Sequence, residues 1–479
     1  MRRRKSQRAE EHTASRTKGS EEAVSEATPK NRAKDAAWGT TRNAEKGVTR
    51  AYLLALATPI IIENLLQTML GTVDAYFAGS ISDEAIAGVG VTGIVMNVLV
   101  ALFVAVGTAS VALIARRHGA EDDQGARSAI TSSVALALGL GAAVGLFCGV
   151  FADPLLRATG LEGPAIEITL PYFVAVSVPS IFTALQMSAS SCMRALEDTR
   201  TPMIVSGVTN MANIGLNIAF LMAGFGLLGL GIATSISRAA GAMALVALLV
   251  RRGWLTLSPD CLSRTDLKAL IHIGAPAGAE KIAQRAGQLV YTTLIVSLGT
   301  NAYAAHNIAG NIESYAYIPA MGFGLAASTV VGIALGENNP DKAREEAWVS
   351  WRIATLIMVA IAAVFFAFAP NFAALFSETP EVQEQAASVL RIIALFQPFA
   401  ALVQVMGGAL QGAGDTRFPL FATLVGIWVI RLGIGSVFAV VLDLGLTGIW
   451  YAYALDLVVR GLLLTGRFKR GAWASLKLE

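Results

Sequence analysis

The chain has 479 residues, 54% of them hydrophobic and only 15% charged, where a soluble domain carries about 25% charged residues. Apolar runs long enough to cross a bilayer recur along most of it, which excludes an ordinary soluble domain and describes a polytopic membrane protein. The net charge of +3 is uneven: residues 1–50 hold 13 Lys/Arg and 7 Asp/Glu, so everything after them is slightly acidic.

Residues 1–50 lack an apolar core and are rich in Ser, Glu, Arg and Lys, which predicts a disordered basic tail. They contain no apolar segment of secretory-signal type. Arg2-Arg3-Arg4-Lys5 allows nucleic-acid or regulatory binding. A cytoplasmic tail that fixes topology or touches anionic lipid is the simpler reading, and no nucleic-acid partner is expected.

Twelve spans follow in chain order. Those of the first half lie near 52–78, 86–115, 128–151, 165–191, 202–223 and 227–250. Those of the second lie near 269–297, 303–334, 347–369, 384–411, 419–441 and 446–465. The expected organisation is a first lobe over 51–251, a polar linker over 252–267, a second lobe over 268–466 and a short tail over 467–479.

The halves are copies at a constant offset of 217 residues. Pro59, Glu63 and Gln67 return as Pro276, Glu280 and Gln284; Gly93, Gly107 and Gly119 return as Gly310, Gly324 and Gly336. Asp198-Thr199-Arg200 with Pro202 returns as Asp415-Thr416-Arg417 with Pro419. A duplicated, very apolar chain points to a transporter whose halves enclose a shared site. Six spans per half return the chain to its starting side, so the repeats are parallel and related by an axis along the membrane normal. Loops rich in Arg and Lys (116–127, 194–200, 251–268, 342–344, 417, 467–470) alternate with acidic or neutral ones, which places both termini in the cytoplasm of a cell inside its plasma membrane.

Ionisable groups inside the membrane are costly and should face a cavity. Span one carries Glu63, Gln67 and Asp74. Eleven residues advance about three turns, so Glu63 and Asp74 share a face roughly 16 Å apart. Two carboxylates there suit exchange of a proton or a cation; the alternatives are that Glu63 caps backbone opened by Pro59 and that Asp74 is wet at the outer interface. Span seven repeats the stripe as Glu280 and Gln284, with Tyr291 where Asp74 would recur. Glu280 alternatively pairs with Arg285. Asn213 and Asn217 of span five lie one turn apart and either face that stripe or join helices. Glu313 of span eight is a candidate cavity residue, and Asp456 and Arg460 are spaced to neutralise each other. Arg238 has no partner recognisable by spacing. The two Asp-Thr-Arg-x-Pro loops read as structural latches, their prolines starting the next helix.

Three scattered cysteines (Cys148, Cys192, Cys261) and four histidines offer no metal spacing, so no metal or cofactor is expected. No phosphate loop marks ATP as the energy source. No nucleophile–base pair marks an enzyme.

Ala57-Thr58-Pro59, Val73-Asp74 and Gly79 resemble the first helix of multidrug and toxic compound extrusion (MATE) transporters. Ala304-Ala305-His306-Asn307-Ile308-Ala309, Glu313-Ser314, Ile318-Pro319, Gly322-Phe323-Gly324 and Leu335-Gly336 resemble its eighth helix and the loop after it, and the Asp-Thr-Arg-x-Pro loops match too. The resemblance covers about residues 50–465. It implies an all-α protein of twelve transmembrane helices in two six-helix lobes around a V-shaped cavity. It implies a secondary antiporter, not an enzyme, exporting amphipathic or cationic small molecules against H⁺ or Na⁺, and acting as a monomer in the bilayer. Asp74 matches the family's first-helix coupling aspartate and Asn213 a family asparagine; where some members carry aspartate, this sequence has Asn217, and its span ten has no acid. The expected coupling set is therefore Asp74, Glu63 and Glu280, with Gln67, Asn213, Asn217, Gln284, Tyr291 and Glu313 lining the cavity. A lipid-linked-precursor flippase of the same superfamily is the alternative, kept open by Arg238, Arg285 and Arg431.

Overall fold

The computed structural model describes residues 50–256, 262–476 and 478, so the expectations for the N-terminal tail and for Cys261 lie outside the described residues. The first half comprises α1 (Arg50–Gly79), α2 (Asp83–Gly119), α3 (Asp123–Val150), a short α4 (Ala152–Ala158), α5 (Pro164–Ser177), α6 (Ser180–Ala195), α7 (Arg200–Met222) and α8 (Gly226–Arg251). The second comprises α9 (Arg264–Val296), α10 (Thr300–Gly336), α11 (Pro340–Ala374), α12 (Pro380–Gly412), α13 (Arg417–Thr423) and α14 (Gly445–Arg470). After α13 the chain continues as π-helical turns over Leu424–Ile434 and Val437–Val441. One 3-10 turn, Ala472–Ser475, follows α14.

Ten of the described spans are long and apolar enough to cross a bilayer unaided. An eleventh is α5 plus α6, bent by 42° where Pro179 interrupts the helix. Proline lacks the N–H that the preceding turn needs and its ring crowds that turn. The twelfth is α9, whose Glu280, Lys281, Gln284 and Arg285 make it the most polar helix of the bundle; it is held by packing along α2 and α13. Proline does not break every helix here. Pro59 sits inside a continuous α1, whereas α11 is kinked at Phe368, two residues before Pro370.

The duplication reaches down to single hydrogen bonds. Asp122 caps α3 by accepting from Gly125 N at 2.8 Å, and Asn339, 217 residues later, caps α11 by accepting from Lys342 N at 3.0 Å. Such caps satisfy backbone donors left free in the first turn.

The first helix of each half packs more extensively on the second helix of the other half than on its own: α1 lies along α10, and α9 along α2. Small residues permit the approach. A Cβ on Gly332 would come 2.9 Å from that of Ala115, its own repeat mate, so the pseudo-twofold axis passes between them. Close backbone contact through glycine and alanine is how helices associate where no hydrophobic drive separates them from lipid.

Polar latches close the end that carries the basic loops. Arg117 bonds both carboxylate oxygens of Asp266 (2.5 and 3.0 Å), joined by Ser128 at 2.6 Å, which ties α2 and α3 to the start of α9. Asp198 accepts from Thr201 N at 3.0 Å and pairs with Arg252 at the end of α8; Asp415 pairs with Arg467 of α14 at 2.7 Å. The Asp-Thr-Arg-x-Pro aspartates thus latch onto the last helix of their own half rather than onto the arginine of the motif.

Past α14, Trp473 is fully buried, stacked on Phe468 at 4.6 Å, and donates its indole N–H to Phe468 O at 2.7 Å. Arg116 holds the same segment by bonding Leu476 O at 2.8 Å. Trp473→Ala is expected to destabilise the protein by about 3–5 kcal/mol, the usual loss for deleting a buried tryptophan. The check is thermal unfolding in detergent, followed by a thiol-reactive dye in a Cys261→Ser background. Cys148 and Cys192 are both buried and report when the bundle opens.

Candidate functional site

Asp74 lies near the far end of α1, within an otherwise apolar helix. Its Oδ1 accepts from Asn217 Nδ2 at 3.0 Å, across to α7. Asn217 also donates to Asn213 Oδ1 at 3.0 Å, and Asn213 donates to Thr234 of α8 at 3.3 Å. A polar chain thus runs from α1 through α7 to α8, and the one-turn spacing of the asparagines puts both amides on the face that meets α1. Asn213 and Asn217 are almost wholly buried. The charge of Arg238, from α8, bears on Asp74 and on Tyr172. Arg238 Nε and Asn217 Oδ1 are buried without hydrogen-bond partners among the described residues.

Glu63 belongs to a different neighbourhood from Asp74. It is 2% exposed and bonds Arg194 of α6 at 3.0 Å, while the other terminal nitrogen of Arg194 donates to Ser191 at 3.0 Å. Gln67, one turn further along α1, is exposed.

In the second half Glu280 accepts from Gln284 (3.2 Å), from Gln411 of α12 (3.0 Å) and from Thr423 of α13 (3.2 Å). The alternative pairing with Arg285 is not formed; Arg285 bonds Gln288 at 3.3 Å. Tyr291 is buried, its ring 5.6 Å from that of His306 and 5.7 Å from the guanidinium of Arg431. Glu313 is 9% exposed and accepts from Tyr453. Asp456 neutralises Arg460 as its spacing predicts, and it also takes Arg431 from the π-helical segment at 2.5 Å. π-turns are rare and concentrate at functional sites.

The structure therefore gathers Asp74, Asn213 and Asn217 into one cluster, places Glu280 and Gln284 in a second, and sets Tyr291 and Glu313 around Arg431. Thr234, Arg194, Gln411, Thr423 and Tyr453 complete these groups without having been selected from sequence. The repeat offset carried a signal for two of them, because Arg194 and Gln411 are mates 217 residues apart. Among the described residues no cluster of three or more His, Cys, Asp or Glu side chains is placed to hold a metal ion.

Two six-helix lobes related by an internal pseudo-twofold, with polar side chains inside the membrane region of each, define a transporter-type bundle rather than a soluble or single-span protein. The family profile MatE matches residues 59–219 and again 276–437, each match starting at one of the paired prolines. The chain belongs to the MATE family. It is 31% identical to a probable multidrug resistance protein NorM of Thermotoga maritima over 432 residues, covering 88% of this chain and 93% of that one. It is 28% identical to the multidrug resistance protein PmpM of Pseudomonas aeruginosa, covering 88% and 91%. An outward-facing multidrug resistance MATE transporter of the MOP superfamily superposes with a TM-score of 0.83 at 25% identity, covering 89% of this chain and 97% of that one.

Proposed function

We propose that the protein is a multidrug efflux antiporter of the plasma membrane. It exports amphipathic or cationic small molecules in exchange for H⁺ or Na⁺, with its basic end and both termini in the cytoplasm. The observation that carries this reading is the Asp74–Asn217–Asn213–Thr234 chain, a carboxylate held by neutral donors inside a membrane helix. An intramembrane acid in that setting is by default an ion or substrate site.

Asp74 is the principal coupling carboxylate, and Glu63 and Glu280 are the other acids of the coupling set. Gln67, Gln284, Tyr291 and Glu313 contribute to substrate contact, with Asn213 and Asn217 beside Asp74. Cation and drug favour opposite-facing states, so the binding of either promotes release of the other. A flippase for a pyrophosphate-linked lipid would need free cationic charge in the cavity. Arg431 and Arg460 are instead tied to Asp456, which favours the antiporter.

The test is uptake of a fluorescent cationic dye into inside-out proteoliposomes under an H⁺ gradient alone, then a Na⁺ gradient alone, for wild type and Asp74→Asn. Transport driven by one gradient is expected for wild type, falling by about tenfold or more in the variant, as loss of a buried charge implies. Transport under neither gradient, with several dyes and intact protein, would sink the reading.

A further inference from the structure

The repeat places two buried glutamates in equivalent positions and gives them different partners. Glu63 and Glu280 are mates, and so are the residues that reach them from α6 and α12, Arg194 and Gln411. Arg194 meets Glu63 at 3.0 Å and Gln411 meets Glu280 at 3.0 Å, on the same carboxylate oxygen, Oε2. Geometry is conserved between the halves while charge is not.

Building on the antiport reading, we infer that Arg194 is a resident cation filling the first-half site, and that Gln411 leaves its second-half counterpart open for a monovalent cation, H⁺ or Na⁺, at Glu280. Glu63 and Arg194 form a neutral buried pair, the arrangement that makes an ionised carboxylate tolerable away from water. Glu280 is 6% exposed, and its three hydrogen-bond partners, Gln284, Gln411 and Thr423, are all neutral. A buried carboxylate without a counter-charge is costly, and a bound proton or metal cation removes that cost. The same three side chains carry amide and hydroxyl oxygens, which suit a hard cation once the amides rotate.

Neighbouring charges are directed elsewhere. On α9 itself, Lys281 reaches Gln284 Oε1 at 3.4 Å and Arg285 reaches Gln288. From α13, Arg417 turns to His272 at 3.1 Å. Where α2 packs on α9 around Gly274 and Gly278 it offers Ala105 and Ala109, and its Arg117 is committed to Asp266.

The experiment exchanges the two residues in the full chain. Bound protons and ²²Na⁺ are titrated on purified protein, and gradient-driven dye uptake is measured in proteoliposomes. Q411R is expected to lose one cation equivalent and at least about tenfold in uptake, the least that filling a buried site with charge implies. Q411M, which removes the amide without adding charge, is expected to keep that equivalent. R194Q alone is expected to gain an equivalent at Glu63. In R194Q/Q411R the dependence moves: E63Q abolishes coupled uptake and E280Q no longer does.

Wild-type uptake and binding in Q411R would overturn the inference, as would loss of the equivalent in Q411M or continued dependence of the exchanged protein on Glu280. If Q411R does not fold, the absence of a gain in R194Q overturns it equally. Should wild type transport no dye under either gradient, the antiport reading fails while the cation titration still decides the site.

Discussion

Gly336→Leu is expected to stop turnover while leaving each half folded. A Cβ on Gly336 would overlap the carbonyl oxygen of Arg116 and stand 2.8 Å from Ala120 N, both in the opposite half. The mate, Gly119, faces Ile333 in the same way, so the pair forms a symmetric seal at the basic end. Backbone is the obstacle, and Arg116 is further held through its bond to Leu476, so neither side yields by rotating a side chain. Forcing extra atoms into packed structure costs about 1–3 kcal/mol, which moves an equilibrium between closed and open by roughly ten- to a hundredfold. The seal exists only when this end is shut, so the whole penalty falls on that state. Spin labels at the exposed mates Gln124→Cys and Asp341→Cys, read by pulsed electron resonance, should show the distance lengthening in Gly336→Leu, with dye transport lost. An unchanged distance distribution with normal transport would show that the contact is not needed for closure.

Asp456→Ala is expected to be the most destabilising single change in the second half. Asp456 is wholly buried and accepts from Arg431 Nε (3.0 Å) and Nη2 (2.5 Å) and from Arg460 Nε (2.5 Å) and Nη2 (2.8 Å). One carboxylate holds two guanidiniums, and Arg431 also lies 4.0 Å over the ring of Tyr453. Removing the acid leaves two like charges facing each other away from water, where breaking one buried pair costs about 3–5 kcal/mol. The thiol-dye unfolding assay should show a large fall in melting temperature. In an Arg431→Gln background the same substitution should cost less, because one of the stranded charges is gone. Equal costs in both backgrounds would mean that Arg431 and Asp456 are not coupled, despite the bidentate geometry.

The two π-helical segments bear on that cluster. They carry Arg431, and span eleven reads in sequence as one uninterrupted apolar helix with a single arginine. No local signal distinguishes a π-turn from an α-turn there, since both satisfy the backbone within the segment. The position of Arg431 relative to Asp456 is therefore a result of packing on α14.

The asparagine pair was legible in the sequence because a one-turn spacing fixes a common helix face whatever the partner. The fate of Glu63 was not. It lies one turn from Gln67 and three turns from Asp74 on α1, which reads as one polar stripe. In the fold its carboxylate meets Arg194, 131 residues later, while Asp74 meets Asn217 of α7. Arg194 stands at the end of α6 among residues that read as loop charge, so only the docking of α6 on α1 identifies it as a counter-ion.

The sequence by itself determined the membrane class, the duplication, the number of spans, the alternation of basic and acidic loops, and the family. Each of these depends on composition, local periodicity or a constant offset along the chain, all of which exist before folding. The tertiary structure alone decided which charges meet: that α1 and α9 lie along the second helix of the opposite half, that Arg194 neutralises Glu63 while Gln411 leaves Glu280 without a counter-charge, and that Asp456 holds two arginines. Those outcomes follow from contacts between residues 25 to 149 positions apart, where burial makes a charge seek a partner and only the packing of helices determines which partner is within reach.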